Sequence, residues 1–317
     1  MEWTQDILGE GFQARPLAAT GADGITRTAT LIRHLPQRPE TPAGRRRAVL
    51  FLHGWSDYFF NTDLAGFWTS AGYEFHALDM HNHGRSLQEG VPPGFVADLQ
   101  AYDAEINAAL EIVTGGDAGT EVTLMGHSLG GLVAVLWAQR HPGRVTRLIL
   151  NSPWLEMHRG PWTRRAVTTM VAPLARFRPE AVLRLPERQF YWRSISSEAD
   201  GEWTLDSRYR PPQAFPVRAA WLRAVLRGQA EVAHGLRLTV PVLVLLSTAS
   251  RNGMVWTDQM LHTDAVLDVA AIAVRAATLG DSVTLERVDG ALHDVFLSAP
   301  EVRADAFSRV ARWLAAY

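Results

Sequence analysis

Val122-Thr123-Leu124-Met125-Gly126-His127-Ser128-Leu129-Gly130-Gly131 runs from an apolar stretch into a glycine, a serine and two more glycines. The following Leu132-Val133-Ala134-Val135-Leu136-Trp137-Ala138 is apolar throughout and reads as a buried helix. Strand, sharp turn and helix, with G-x-S-x-G at the turn, is the pattern of a nucleophile elbow, in which a strained backbone projects one hydroxyl from the end of a sheet. Gly126 and Gly130 lack Cβ atoms and let strand and helix pass close to each other. A helix N-terminus behind Ser128, together with the N–H of Leu129, would stabilise negative charge developing there.

Outward from this stretch the chain alternates between two patterns. Ala48-Val49-Leu50-Phe51-Leu52, Val145-Thr146-Arg147-Leu148-Ile149-Leu150 and Val240-Pro241-Val242-Leu243-Val244-Leu245-Leu246 are apolar runs expected of strands covered on both faces. The strands 73–79 and 283–288 are expected beside them, with helices over 64–71, 98–113, 264–279 and 301–316. Residues 11–35 alternate in polarity and predict two antiparallel edge strands, and 36–47 form a loop rich in proline and arginine. Alternating strands and helices predict an α/β fold with a mostly parallel sheet. Between 154 and 235 no strand is evident, arginine, proline and tryptophan dominate, and helical spacing recurs near 164–174 and 217–226. This segment is expected to be a helical cap inserted into a core of 1–153 and 236–317.

Composition narrows the function classes. Of 317 residues, 47% are apolar, enough for a large core, and the net charge of −2 gives no field favouring nucleic acid. Cysteine is absent, which excludes disulfides and thiolate chemistry. All 31 basic residues are arginine, which excludes a lysine Schiff base or a serine–lysine dyad. The N-terminal Met1-Glu2-Trp3-Thr4-Gln5-Asp6 has no signal-peptide character and no apolar run is long enough to span a membrane, so a cytoplasmic protein is expected, with transient lipid contact at most.

His53-Gly54 after one buried strand, His83-Gly84-Arg85-Ser86 after the next, Gly126-His127-Ser128-Leu129-Gly130-Gly131, and the late Gly290-Ala291-Leu292-His293-Asp294 together resemble the α/β-hydrolase family. The branch most similar is that of monoacylglycerol-lipase-like and lysophospholipase-like serine hydrolases. The resemblance covers roughly 45–153 and 238–317. It implies an α/β-hydrolase fold and a serine esterase acting on a small-molecule ester with no cofactor and no metal. Acyl transfer or thioester hydrolysis on the same residues, and a non-catalytic binding protein of this fold, are the alternatives. Relatives that place aspartate at the elbow, for dehalogenation or epoxide opening, are disfavoured by Ser128.

Ser128 needs a base, and the resemblance assigns His293, in a loop that Gly290 allows to turn sharply. His127 is expected to point the other way along its strand. The family's acid normally follows the strand at 240–246, yet Ser247-Thr248-Ala249-Ser250-Arg251-Asn252-Gly253 holds no carboxylate. Asp264, leading the run Asp264-Ala265-Val266-Leu267-Asp268, is the expected acid after an insertion of about a dozen residues, with Asp258 the alternative and Asp268 a helix-start anion. The N–H groups of Trp55 and Leu129 are the expected oxyanion donors, and Trp55, Tyr58 and Phe59 the expected acyl-site residues. Asp79, His81 and His83 have metal-binding donor types, but the resemblance gives their loop a structural task.

Overall fold

Side chains of successive residues in a strand leave opposite faces of its sheet. Accordingly Ala48, Leu50 and Leu52 enter one apolar layer and Val49 and Phe51 the other. Leu148 and Leu150 part from Ile149 in the same way, and Val242, Val244 and Leu246 from Leu243 and Leu245. Continuous apolar runs are the consequence of filling both layers at once.

The computed structural model describes residues 2–36, 45–158, 160–184 and 189–317. Residues 37–44 of the proline- and arginine-rich loop, and 159 and 185–188 of the expected cap, lie outside the described residues. The strands are β1 (Thr4–Gln5), β2 (Phe12–Thr20), β3 (Thr26–His34), β4 (Arg47–Leu52), β5 (Glu74–Asp79), β6 (Glu121–His127), β7 (Arg147–Asn151), β8 (Val242–Ser247) and β9 (Val283–Val288). They form one sheet in the order β1-β2-β3-β5-β4-β6-β7-β8-β9. β1 to β3 are antiparallel and β3 meets β5 antiparallel; from β5 to β9 every pairing is parallel. The strand order reverses at β4, between β5 and β6, and the carboxyl ends at such a reversal open a crevice in α/β sheets.

The helices are α1 (Thr62–Ser70), α2 (Asp103–Thr114), α3 (Leu129–Arg140), α4 (Pro161–Phe177), α5 (Phe190–Ile195), α6 (Ala219–Ala233), α7 (Val269–Ala276) and α8 (Pro300–Ala316). The helix expected over 264–279 is only α7: Asp268 is its N-cap and accepts the N–H of Ala271, while Asp264 stands before it in a turn. Among the described residues three helices, α4, α5 and α6, lie between β7 and β8. α6 packs on α3 so closely that a methyl at Gly228 would lie 2.8 Å from Leu136 Cδ1, and Ala220, Trp221 and Val225 of α6 join the apolar layer beneath it.

Candidate active site

The turn at Ser128 is built by steric exclusion. Ser128 has φ +50° and ψ −114°, a conformation L-residues rarely adopt. A methyl on Gly126 would fall 2.5 Å from Gly130 O, and one on Gly130 would fall 2.4 Å from both His53 O and Leu52 O. Only glycine lets α3 leave β6 at this angle and lie against the end of β4. The turn is held by its backbone: Ser128 N–H donates to Asn151 O at 3.0 Å, and Ser128 O accepts the N–H of Trp154 at 3.0 Å.

Ser128 Oγ lies 3.0 Å from His293 Nε2, and His293 Nδ1 lies 2.9 Å from Asp264 Oδ2. A carboxylate only accepts, so Nδ1 carries the proton and Nε2 is left to accept from the serine hydroxyl. Asp264 Oδ1 is taken by the N–H groups of Val266 at 2.7 Å and Leu267 at 2.8 Å, which fixes the carboxylate plane. Ser128, Asp264 and His293 are all buried. Asp264 returns to the sheet end through paired bonds, Asp264 N–H to Ala249 O at 3.0 Å and Arg251 N–H to Asp264 O at 2.8 Å. Asp258 is exposed in a 3-10 turn, Asp258–Leu261, with no bond to His293.

The backbone donors lie beside the serine. Leu129 is the first residue of α3, so no helical carbonyl accepts its N–H. A methyl on Gly54 would be 3.3 Å from Ser128 Cβ, which sets Gly54, the residue before Trp55, against the serine. His53 orders this loop: its Nε2 accepts the N–H of Met80 at 3.0 Å, so its Nδ1–H donates to Gly54 O at 2.8 Å.

Several expectations are corrected here. Phe59 is core, packed on Phe51 and Phe75 at ring separations of 5.9 and 5.1 Å, and Tyr58 packs with Phe60 while its hydroxyl accepts the N–H of Asp206. Neither lines the cavity of about 1100 Å³ beside the site; Trp55, Phe190, Tyr191, Phe215 and Val217 do. Tyr58 is covered from outside by Asp206 and Tyr209 and Phe59 lies in the core layer, so both side chains pack rather than face the cavity. His127 does not point away: its ring centre is 4.8 Å from that of His293. Its Nδ1–H donates to Asn151 O at 3.2 Å. The Asp79 carboxylate is occupied by Phe59 N–H and by Arg85, and His81 Nδ1 by Glu105, so both hold their loop together.

Asn151, which motif reading passes over, ties the two halves of the site. Its Nδ2 donates to Asp294 Oδ1 at 2.6 Å and its Oδ1 accepts the N–H of Val295 at 3.1 Å, so the end of β7 holds the loop of His293. The signal for it is an amide placed at the carboxyl end of a buried strand.

Burial lowers the pKa of His127 and of His76 from 6.5 to about 4, because charging a ring inside the protein removes it from water. The folded state then refuses protons that the unfolded chain accepts below 6.5, so stability falls as pH drops from about 6.5 towards 4. At pH 5 the loss is on the order of 2 kcal/mol for each histidine. The urea midpoint is therefore expected to fall between pH 7.5 and 5, and to fall less in His76→Gln. An unchanged midpoint would show that these rings are not neutral in the fold.

A family model described as serine aminopeptidase, S33, matches residues 43–300. The chain belongs to this family of α/β-hydrolases. Phospholipase YtpA of Bacillus subtilis is 34% identical to this S33-family chain over 110 residues, which span 34% of the chain and 40% of that relative's length. The monoglyceride lipase of Mus musculus is 24% identical over 278 residues, spanning 86% of the chain and 84% of the relative. Among solved structures, the monoacylglycerol lipase of Paleococcus ferrophilus superposes with a TM-score of 0.63 at 19% identity, covering 99% of this chain and 98% of the other, a likeness of fold. Among the described residues no helix is long and apolar enough to cross a membrane.

Proposed function

We propose that this S33-family chain hydrolyses carboxylic esters with an apolar acyl group through an acyl-enzyme on Ser128. The observation that carries the reading is the unbroken chain of hydrogen bonds from Ser128 Oγ through His293 to Asp264, beside an apolar cavity. Ser128 Oγ attacks the ester carbonyl as its proton passes to His293 Nε2. The N–H groups of Leu129 and Trp55 receive the oxyanion, aided by the N-terminus of α3. The imidazolium, stabilised by Asp264, returns its proton to the departing alkoxide as the acyl-enzyme forms. Water then attacks that ester with His293 as base, releasing the acid and restoring Ser128. The segment 154–235 acts as a cap whose residues form much of the cavity wall. Relatives named phospholipase and monoglyceride lipase support a glycerolipid-type ester, and among the described residues the cavity lining contains no carboxylate.

Acyl preference tests this reading. Each methylene buried against Trp55, Phe190 and Phe215 contributes about 0.8 kcal/mol, about fourfold in kcat/KM. A series of p-nitrophenyl esters should gain by up to that factor per methylene until the cavity is full, and a fluorophosphonate probe should label Ser128. A flat series would remove the cavity from the acyl site; an unlabelled Ser128 would remove the mechanism.

A further inference from the structure

The loop that carries the Trp55 N–H is fastened to 206–221 at each of four consecutive residues. The Trp55 ring lies on Trp221 with centroids 3.7 Å apart. Ser56 holds φ +51°, a left-handed conformation that a non-glycine residue keeps only when its surroundings enforce it, and its Oγ accepts the N–H of Phe215 at 3.0 Å. Asp57 Oδ1 accepts Tyr58 N–H of its own loop at 2.9 Å and receives Arg210 Nη1–H at 2.6 Å. Tyr58 Oη accepts the N–H of Asp206 at 2.9 Å.

Arg210 is the only charge among these fasteners that comes from the inserted segment. It is 5% exposed and Asp57 is 4% exposed, so the pair is shielded from water. Its guanidinium also lies 4.7 Å from the centre of the Tyr191 ring, and that ring meets His293 edge-on at 5.0 Å. Pro211 and Pro212 follow immediately and restrict the backbone that presents it. A single cation thus bridges the loop of one oxyanion donor and the aromatic that abuts the general base.

We propose that Arg210 is a positioning residue for the reaction: acting through Asp57, it holds the Trp55 N–H in the orientation that receives the oxyanion. The inference rests on Ser128 being the nucleophile. Arg210 touches neither the ester nor the reacting atoms; its effect passes through the carboxylate that ties Asp57 to Tyr58 N–H. Hydrogen bonds from an oxyanion donor strengthen only as the tetrahedral adduct forms, so displacing that donor lowers kcat and leaves ground-state binding nearly unchanged.

The experiment compares Arg210→Met, Asp57→Asn, the double variant and Arg210→Lys, each checked for fold by circular dichroism. Steady-state kinetics are measured on one p-nitrophenyl ester, and inhibition by an alkylboronic acid, whose adduct with serine is tetrahedral. Arg210→Met is expected to lower kcat by about 10- to 100-fold, at or below the loss of about 10²–10³ known for a missing oxyanion donor because the donor is displaced rather than removed, with KM changed less than about threefold. The boronic acid should weaken by the same factor as kcat. Arg210→Lys, which keeps a cation for Asp57, should recover part of the loss. The double variant should lose no more than the worse single one, the mark of two groups acting as a unit. It also serves if Arg210→Met fails to fold, because it strands no buried charge. A rise in KM at constant kcat, an unchanged boronic acid affinity, or losses that multiply in the double variant would each overturn the proposal. Wild-type protein that a fluorophosphonate leaves unlabelled at Ser128 would instead overturn the nucleophile assignment on which it rests.

Discussion

Ser128→Ala is expected to reduce ester hydrolysis by about 10⁶-fold while leaving the fold intact. A loss of about that size follows removal of the nucleophile in a serine protease, because base and acid have nothing left to activate. Alanine also keeps the architecture of the turn. The path of the chain at φ +50° is dictated by Gly126, Gly130 and the bonds from Ser128 N–H and O, none of which involves the hydroxyl. Among the described residues the only bond removed is that from Oγ to His293 Nε2. Purified variant should therefore melt within a few degrees of wild type yet show no burst with p-nitrophenyl esters. A folded variant retaining even a tenth of the activity would place the nucleophile elsewhere.

Asp264→Asn is expected to lower kcat by about 10⁴-fold, the size known for the corresponding change in a serine protease. The direction is set by which atom faces His293. The N–H groups of Val266 and Leu267 both point at Oδ1, so an asparagine keeps its carbonyl oxygen there. Its NH₂ then faces Nδ1, which must become an acceptor. The proton moves to Nε2, where it blocks the approach of the Ser128 hydroxyl. Asp258→Asn, on the exposed turn, should change kcat by less than about threefold. Asp268→Asn should be nearly silent too, since asparagine caps a helix as well as aspartate does. If Asp258→Asn were the damaging change, the acid would have been placed on the wrong side of the excursion.

The strands of the parallel core are legible in the sequence because a strand buried on both faces leaves little room for polar residues. The helix start at Asp268 is obscured by Asp264-Ala265-Val266-Leu267, which has helical spacing. The Asp264 carboxylate instead closes a turn on two of its own N–H groups, and the helix waits for the next cap. α5 is six residues long, too short to display a period. The approach of Ser128, Asp264 and His293 is traceable to motif and chain order. What surrounds them is not: Tyr191 and Arg210 reach the site only through the packing of a segment whose sequence shows helical spacing near 164–174 and 217–226 but none around these two residues. Trp221 backs Trp55, Trp203 donates to Leu297 O, and Trp162 is exposed; none of the three lines the cavity.

The bonds between Ala249, Arg251 and Asp264 close the excursion 252–263 at its neck, like a drawstring. The carboxylate therefore takes its position from the neck and from the turn at Val266 and Leu267, whatever the length of chain beyond. Doubling such a loop costs only about 0.6 kcal/mol in closure entropy. The distance in sequence between a strand and the acid it serves is thus a free variable, decoupled from the distance in space. The excursion is accordingly free to serve elsewhere: Asn252 and Met254 line the cavity, Trp256 lies against Phe190, and Met260 is buried.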